Sequence, residues 1–154
     1  MIKVLFVCLG NICRSPMAEA VFREKVQEAG LSERISIDSA ATSTWEHGNP
    51  VHHGTVKRLA QEGISTEGMY SRTLDETDLD ADYIIGMDES NMANIERFLA
   101  GSGTEAVVKP FLAFAGEERD ILDPYYTGDF ETTYQDVLAA STALLEHIQS
   151  EHFA

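Results

Sequence analysis

Residues Lys3–Cys8 (KVLFVC) form a nearly unbroken apolar run rich in valine, with a loop, LGNICRS, directly behind it. A strand that reads this way is covered on both faces, which is the situation inside a parallel sheet flanked by helices. The pattern then repeats. Ala18, Val21, Phe22, Val26 and Ala29 recur at helical spacing after Pro16, and Gly30 stops that helix. Ser15 followed by Pro16 is the expected N-cap and first helical residue, since proline has no N–H to leave unsatisfied there.

Further strands are expected at 34–40 (RISIDSA), 81–87 (ADYIIGM) and 106–111 (AVVKPF). Helices are expected at 51–63 and 89–100, and a long C-terminal helix presents Tyr134, Val137, Leu138, Ser141, Leu145 and Ile148 on one face. Strands alternating with helices imply right-handed βαβ units. The fold class is therefore α/β: three α/β/α layers around a four-stranded parallel sheet, with a phosphate loop between the first strand and first helix. One domain spanning 1–154 fits the length, and no repeats or linkers interrupt it. Ligands bind such sheets beyond the carboxyl ends of the strands. The loops 8–15, 40–50 and 116–128 should converge there.

Composition narrows the function. The chain is 44% hydrophobic and 24% charged, as globular proteins are, and its formal charge is -15. That charge argues against nucleic-acid and anionic-membrane partners, which require a basic surface. Residues 1–50 carry five Lys/Arg against six Asp/Glu, whereas 51–100 carry four against ten and 101–154 two against ten. An anionic ligand is met most easily by the first third. The apolar run VLFVCL is too short for a membrane span or a signal-peptide core, so a cytoplasmic protein is expected. Two cysteines do not make a disulfide scaffold, and C-x4-C alone is a poor zinc signature. No metal or other cofactor is expected.

The loop after the first strand carries the chemistry. Successive N–H groups ahead of a helix N-terminus favour an anion. Gly10 and Asn11 tolerate the left-handed backbone that lets such a loop curl into a ring, and Arg14 offers a planar fork for two phosphoryl oxygens. Cys8 could be a buried strand-end thiol, half of a redox pair with Cys13, or a nucleophile. At the base of an anion-binding ring its thiolate form is favoured, and a thiolate facing a phosphate ester is arranged for in-line attack. A leaving oxygen needs a proton. Asp123, in ILDPYY, is the natural donor because Pro124 restrains its backbone, and the same carboxylate can later take a proton from water.

The stretch Cys8-Leu9-Gly10-Asn11-Ile12-Cys13-Arg14-Ser15-Pro16 resembles the phosphate loop of the low-molecular-weight protein tyrosine phosphatases. The likeness continues through DSAATS at 38–43, GNP at 48–50, DYIIGMDESN at 82–91 and DPYY at 123–126, in the family's order. The resemblance implies hydrolysis of phosphotyrosine through a phosphocysteine on Cys8. It also implies phosphate binding by Arg14 and the amides of residues 9–15, and general acid–base work by Asp123. Asn11 would be held in its strained conformation through Ser15 and Ser39, and Ser15 would steady the thiolate. Cys13 resembles the family's partner that traps oxidised Cys8 as a reversible disulfide, although packing would equally suit it.

Asp88, at a strand's carboxyl end, could bond the phosphate loop or cap the next helix. Trp45, Tyr125 and Tyr126 are expected as walls of a slot for a flat phosphoaryl group. Trp45 is a departure at a position that the family it resembles often fills with tyrosine or another aromatic. His47, His52 and His53 suit a solvated loop and helix start better than a metal site, and DETDLDAD at 75–82 reads as a solvated face. The expected partners are a tyrosine-phosphorylated protein as substrate and inorganic phosphate as product, with a monomeric enzyme.

Rival readings follow from the same residues. Arsenate reductases share the loop but need downstream cysteines, and none follows Cys13. A protein passing phosphate from cysteine to sugar needs neither Arg14 nor Asp123. A catalytically silent phosphoprotein-binding module would not require the intact triad. Family members that act on phosphoarginine have threonine where this chain has Ile12, whose apolar side chain suits an aromatic ring.

Overall fold

β1 (Ile2–Cys8) runs through the middle of the sheet because both of its faces are apolar. The computed structural model describes residues 1–153. Side chains alternate across β1: Val4 and Phe6 enter one core layer, while Leu5 and Val7 enter the other. β2 (Ile35–Ala41) and β3 (Tyr83–Gly86) pair with β1 on either side, and β4 (Val107–Pro110) completes the order β2-β1-β3-β4. Every pairing is parallel. The expected three-layer fold is what forms.

The larger core layer packs Phe6 against Phe22 (ring centroids 5.7 Å apart) and Phe111 (5.0 Å). It lies under α1 (Arg14–Glu28) and α5 (Phe130–His152). The smaller layer sets Leu5, Val7 and Ile84 against Ile95 of α3 (Glu89–Leu99). The chain also forms α2 (His53–Ala60), the short α4 (Pro124–Thr127), and 3₁₀ turns at Glu76–Asp80 and Phe111–Ala115.

Three expectations are corrected. α1 starts at Arg14 with Cys13 as its N-cap, not at Pro16 with Ser15 as cap. The Ser15 hydroxyl is engaged inside the loop instead, and Pro16 fits the first turn because those N–H groups have no intrahelical acceptor. On α5, Ala140 and Leu144 are fully buried, while Leu138 and Leu145 are only half-buried. Finally, the acidic run is solvated at Asp75, Glu76, Asp80 and Asp82, as expected, but not at Asp78. Asp78 is buried and receives the Arg72 fork at 2.8 and 3.0 Å, Asp75 caps the 3₁₀ turn, and Asp80 pairs with Lys3 at 2.6 Å. The Asp82 carboxylate accepts the Lys3 N–H at 2.8 Å. Lys3 opens β1, far away in sequence, and Arg72, six residues before Asp78, sits in irregular backbone, so neither partner shows in the composition of the run itself.

Boundaries elsewhere shift by a few residues. α2 begins at His53 and not at Val51, because Pro50 bridges to Tyr70 and His52 supplies the cap. β3 and β4 are shorter than the apolar runs that announce them.

Candidate active site

The loop between β1 and α1 closes on itself around the Cys8 sulfur. Asn11 donates its N–H to Sγ at 3.3 Å, and the Ser15 Oγ lies 3.1 Å from the same atom. Both contacts hold the sulfur at the centre of the ring. Asn11 takes φ of 56°, the left-handed region, and among the described residues it is the one non-glycine that does so. Such a conformation costs about 1–2 kcal/mol. Its side chain offsets that cost: Nδ2 donates to Ser15 Oγ at 2.8 Å and Ser39 Oγ at 2.9 Å, and Oδ1 accepts the Arg72 N–H at 3.1 Å.

The ring is braced from outside. Ser43 donates both N–H and hydroxyl to the Leu9 carbonyl, and Ser71 donates its hydroxyl to the Gly10 carbonyl at 2.8 Å. Ser39 in turn donates to Glu19 Oε1 at 2.6 Å, and Arg23 pairs with Oε2 of the same carboxylate at 2.6 Å. With these carbonyls bonded outward, the N–H groups of Ile12, Cys13, Arg14 and Ser15 have no acceptor among the described residues. They remain available to an anion.

Arg14 is 2% exposed. Nη1 donates to Asp88 Oδ2 and to the Ile121 carbonyl, each at 2.8 Å, and Nη2 reaches Asp123 Oδ2 at 3.5 Å. Nε is buried without a partner among the described residues. Burial works against this charge, but Cys8, Asp88 and Asp123 outweigh it and hold the guanidinium above its ordinary range. Asp88 also caps α3, so it takes both of the roles open to it. Cys13 is buried beside Arg14. Its thiol is pushed up to about 12, first by burial and then by Asp123 and Cys8, so it stays protonated at neutral pH.

The loops after β1, β2 and β4 converge as expected. Cys8, Leu9, Gly10, Ile12, Cys13, Trp45, Glu46, Asp123, Tyr125 and Tyr126 line one cavity of about 110 Å³. Trp45 and Tyr126 stand at its mouth, each about three-quarters exposed, and Tyr125 meets Tyr126 edge-on at 5.2 Å. Asp123 caps α4 by accepting the Tyr125 N–H at 3.1 Å. No group of three or more His, Cys, Asp or Glu side chains placed to hold a metal ion occurs among the described residues.

Sequence reasoning missed the bracing residues Glu19, Ser71 and Arg72, and the part Glu46 takes in the cavity wall. Glu19 lies on the buried side of α1, where an acidic residue at a core position is the one visible signal. Ser71 and Arg72 belong to irregular backbone, which carries no period to read.

A thiol at the base of an arginine-clamped anion loop, with a carboxylate opposite, is the arrangement of a phosphatase on a parallel α/β sheet. Residues 3–153 match the family model described as low molecular weight phosphotyrosine protein phosphatase. The low molecular weight protein-tyrosine-phosphatase YfkJ of Bacillus subtilis is 47% identical over 154 residues, which cover 98% of each chain. The similarly named PtpA of Staphylococcus epidermidis is 45% identical over 149 residues, 96% of this chain and 94% of that one. The crystal structure of YfkJ superposes with a TM-score of 0.93, over 99% of this chain and 97% of that one. An arginine phosphatase of Drosophila, at 30% identity, gives 0.91 over 97% and 99%. This chain belongs to the low molecular weight phosphotyrosine protein phosphatase family. No described helix is long and apolar enough to cross a membrane.

Proposed function

We propose that the chain hydrolyses phosphotyrosine in proteins in two steps, each using a group of the chain itself. The Cys8 thiolate attacks phosphorus, forming an S–P bond as the P–O bond to tyrosine breaks. The leaving oxygen takes its proton from Asp123, while Arg14 and the loop amides bind the equatorial oxygens. Water then attacks the phosphocysteine, gives its proton to the Asp123 carboxylate and releases inorganic phosphate, which restores the thiolate. The observation that carries this reading is the shared cavity. Cys8 and Asp123 line one small space, and Arg14 reaches Asp123 at 3.5 Å.

Ile12 and the aromatic mouth support an aryl substrate, since a flat ring buries apolar surface against them. Similarity to an arginine phosphatase makes phosphoarginine the comparison substrate. The enzyme is read as a cytoplasmic monomer acting on tyrosine-phosphorylated proteins.

Peptides carrying phosphotyrosine, phosphoserine and phosphoarginine should be assayed with wild type and Cys8→Ser, with and without a chelator. Phosphotyrosine is expected to turn over fastest, unaffected by the chelator, with no turnover by Cys8→Ser. Full activity in Cys8→Ser defeats the nucleophile assignment. A preference for phosphoarginine overturns the substrate reading alone.

A further inference from the structure

His52 occupies a junction that the two reaction steps do not use. Its backbone N–H donates to the Ile12 carbonyl of the phosphate loop at 2.8 Å. Thr55, three residues on, donates its hydroxyl to the Cys13 carbonyl at 3.2 Å. Together these bonds tie the start of α2 to the loop that carries Cys8.

The imidazole reaches elsewhere. Nδ1 accepts the Gly54 N–H at 3.0 Å and so caps α2. One face of the ring system stacks with Phe130, centroids 5.3 Å apart and planes 19° off parallel. Tyr125 meets the same imidazole edge-on at 5.9 Å, and His53 stacks with it at 4.3 Å. Tyr125 lies two residues beyond Asp123, and Phe130 opens α5. Both aromatics therefore lie on the C-terminal side of Asp123, the nearer one two residues from it.

Gly54 makes this contact possible. A Cβ at that position would lie 2.3 Å from the Phe130 ring, so any larger residue would push the ring off α2. Residues 125–129 are exposed, and Asp123 itself is held by its cap to Tyr125 N–H and the long contact to Arg14. Before Asp123 the chain is fixed by Ile121, bonded to the Met87 carbonyl and to Arg14, and by Leu122, whose carbonyl accepts the Thr133 hydroxyl. After it, the exposed turn meets His52 through Tyr125 and Phe130.

We propose that His52 is a positioning residue: its imidazole clasps the turn that follows Asp123 to the phosphate loop and so sets the carboxyl against the leaving oxygen. The inference rests on the reading of Asp123 as general acid. The charged groups acting on the imidazole are His53 from its own helix, Asp123 from the acid segment and Glu46 from the loop after β2. Burial, then His53, hold His52 below its ordinary range despite the two carboxylates, which keeps Nδ1 free to accept at neutral pH.

Loss of acid placement has a signature that general destabilisation lacks. A poor leaving group needs the proton, whereas a good one departs without it. The test measures kcat/KM for phenyl phosphate and p-nitrophenyl phosphate with wild type, Asp123→Ala, His52→Asn and Phe130→Leu. Asparagine keeps an N-cap acceptor but removes the ring, and Phe130→Leu serves if His52→Asn does not fold. Both variants should lose about tenfold on phenyl phosphate and under about threefold on p-nitrophenyl phosphate, a muted form of the Asp123→Ala pattern. Equal losses on the two substrates, or none, overturn the positioning role while the acid assignment stands. If Asp123→Ala itself treats both substrates alike, the acid assignment fails, and this inference fails with it.

Discussion

Arg14 donates from Nη1 to Asp88 Oδ2 at 2.8 Å, and the other oxygen of that carboxylate accepts the Asn91 N–H at 2.7 Å. One side chain thus fixes the Arg14 guanidinium and starts α3. The proposed phosphate clamp is preset, so binding need not order a long side chain.

Removing the charge from Asp88 should expose what this pair does. Asp88→Asn keeps an acceptor for the α3 cap but leaves the buried Arg14 with the Ile121 carbonyl and, as its one charged side-chain partner among the described residues, the more distant Asp123. Breaking a fully buried pair costs about 3–5 kcal/mol, and Asp88 is partly exposed, so a loss of about 2 kcal/mol is expected in urea unfolding. KM for aryl phosphates should rise at the same time. A variant with wild-type stability and KM would show that Ile121 and Asp123 suffice to hold Arg14.

Asn11 separates backbone strain from side-chain bonding. Asn11→Gly accepts the positive φ freely but loses three hydrogen bonds, whereas Asn11→Ala loses the bonds and keeps the strain. Both should be destabilised, each lost bond contributing about 1 kcal/mol, with alanine lower by a further 1 kcal/mol or so. Melting curves of the two variants give the order. Alanine at or above glycine would mean that the conformation carries no strain.

Cys13 is tested by oxidation. Peroxide converts the Cys8 thiolate to a sulfenic acid; attack by Cys13 then forms a disulfide with loss of water, and a dithiol restores both thiols. Oxidation of Cys8 also removes one of the charges that keep the Cys13 thiol protonated. Peroxide-treated wild type should regain most of its activity with dithiothreitol, and Cys13→Ser markedly less. Equal recovery reduces Cys13 to a packing residue.

The His52 cap predicts a pH dependence of stability. Its folded-state affinity for protons is lowered by burial and by His53, so the unfolded chain binds the proton more readily. Stability from this group is then complete above the ordinary histidine range near about 6.5 and falls as pH drops below it. Urea midpoints at pH 7.5 and pH 5 should differ less in His52→Asn than in wild type. An unchanged difference would assign the acid limb to other groups.

The fold and the lining of the candidate site were legible because both are written locally. The double-faced apolar run of β1, the glycine and asparagine of the loop, and the aspartate-proline pair each state a conformation through their own neighbours. The Ser15 cap was misread for the same reason: serine before proline has a local meaning, but here the hydroxyl finds Cys8 and Asn11. Asp78 in the acidic run was misread likewise, since Arg72 answers it through a turn that has no period.

By itself the sequence determined a parallel α/β sheet, a cysteine–arginine anion loop at its carboxyl end and a candidate acid on a distant loop. Only the tertiary structure decided that Asp88 serves Arg14 and α3 together, that Glu19 and Ser71 brace the loop from behind, and that His52 joins the loop to the acid segment. Periodicity and turn chemistry act over a few residues and survive in the order of the chain. Contacts between residues 20 to 109 positions apart exist only once the sheet has set which loops share an end.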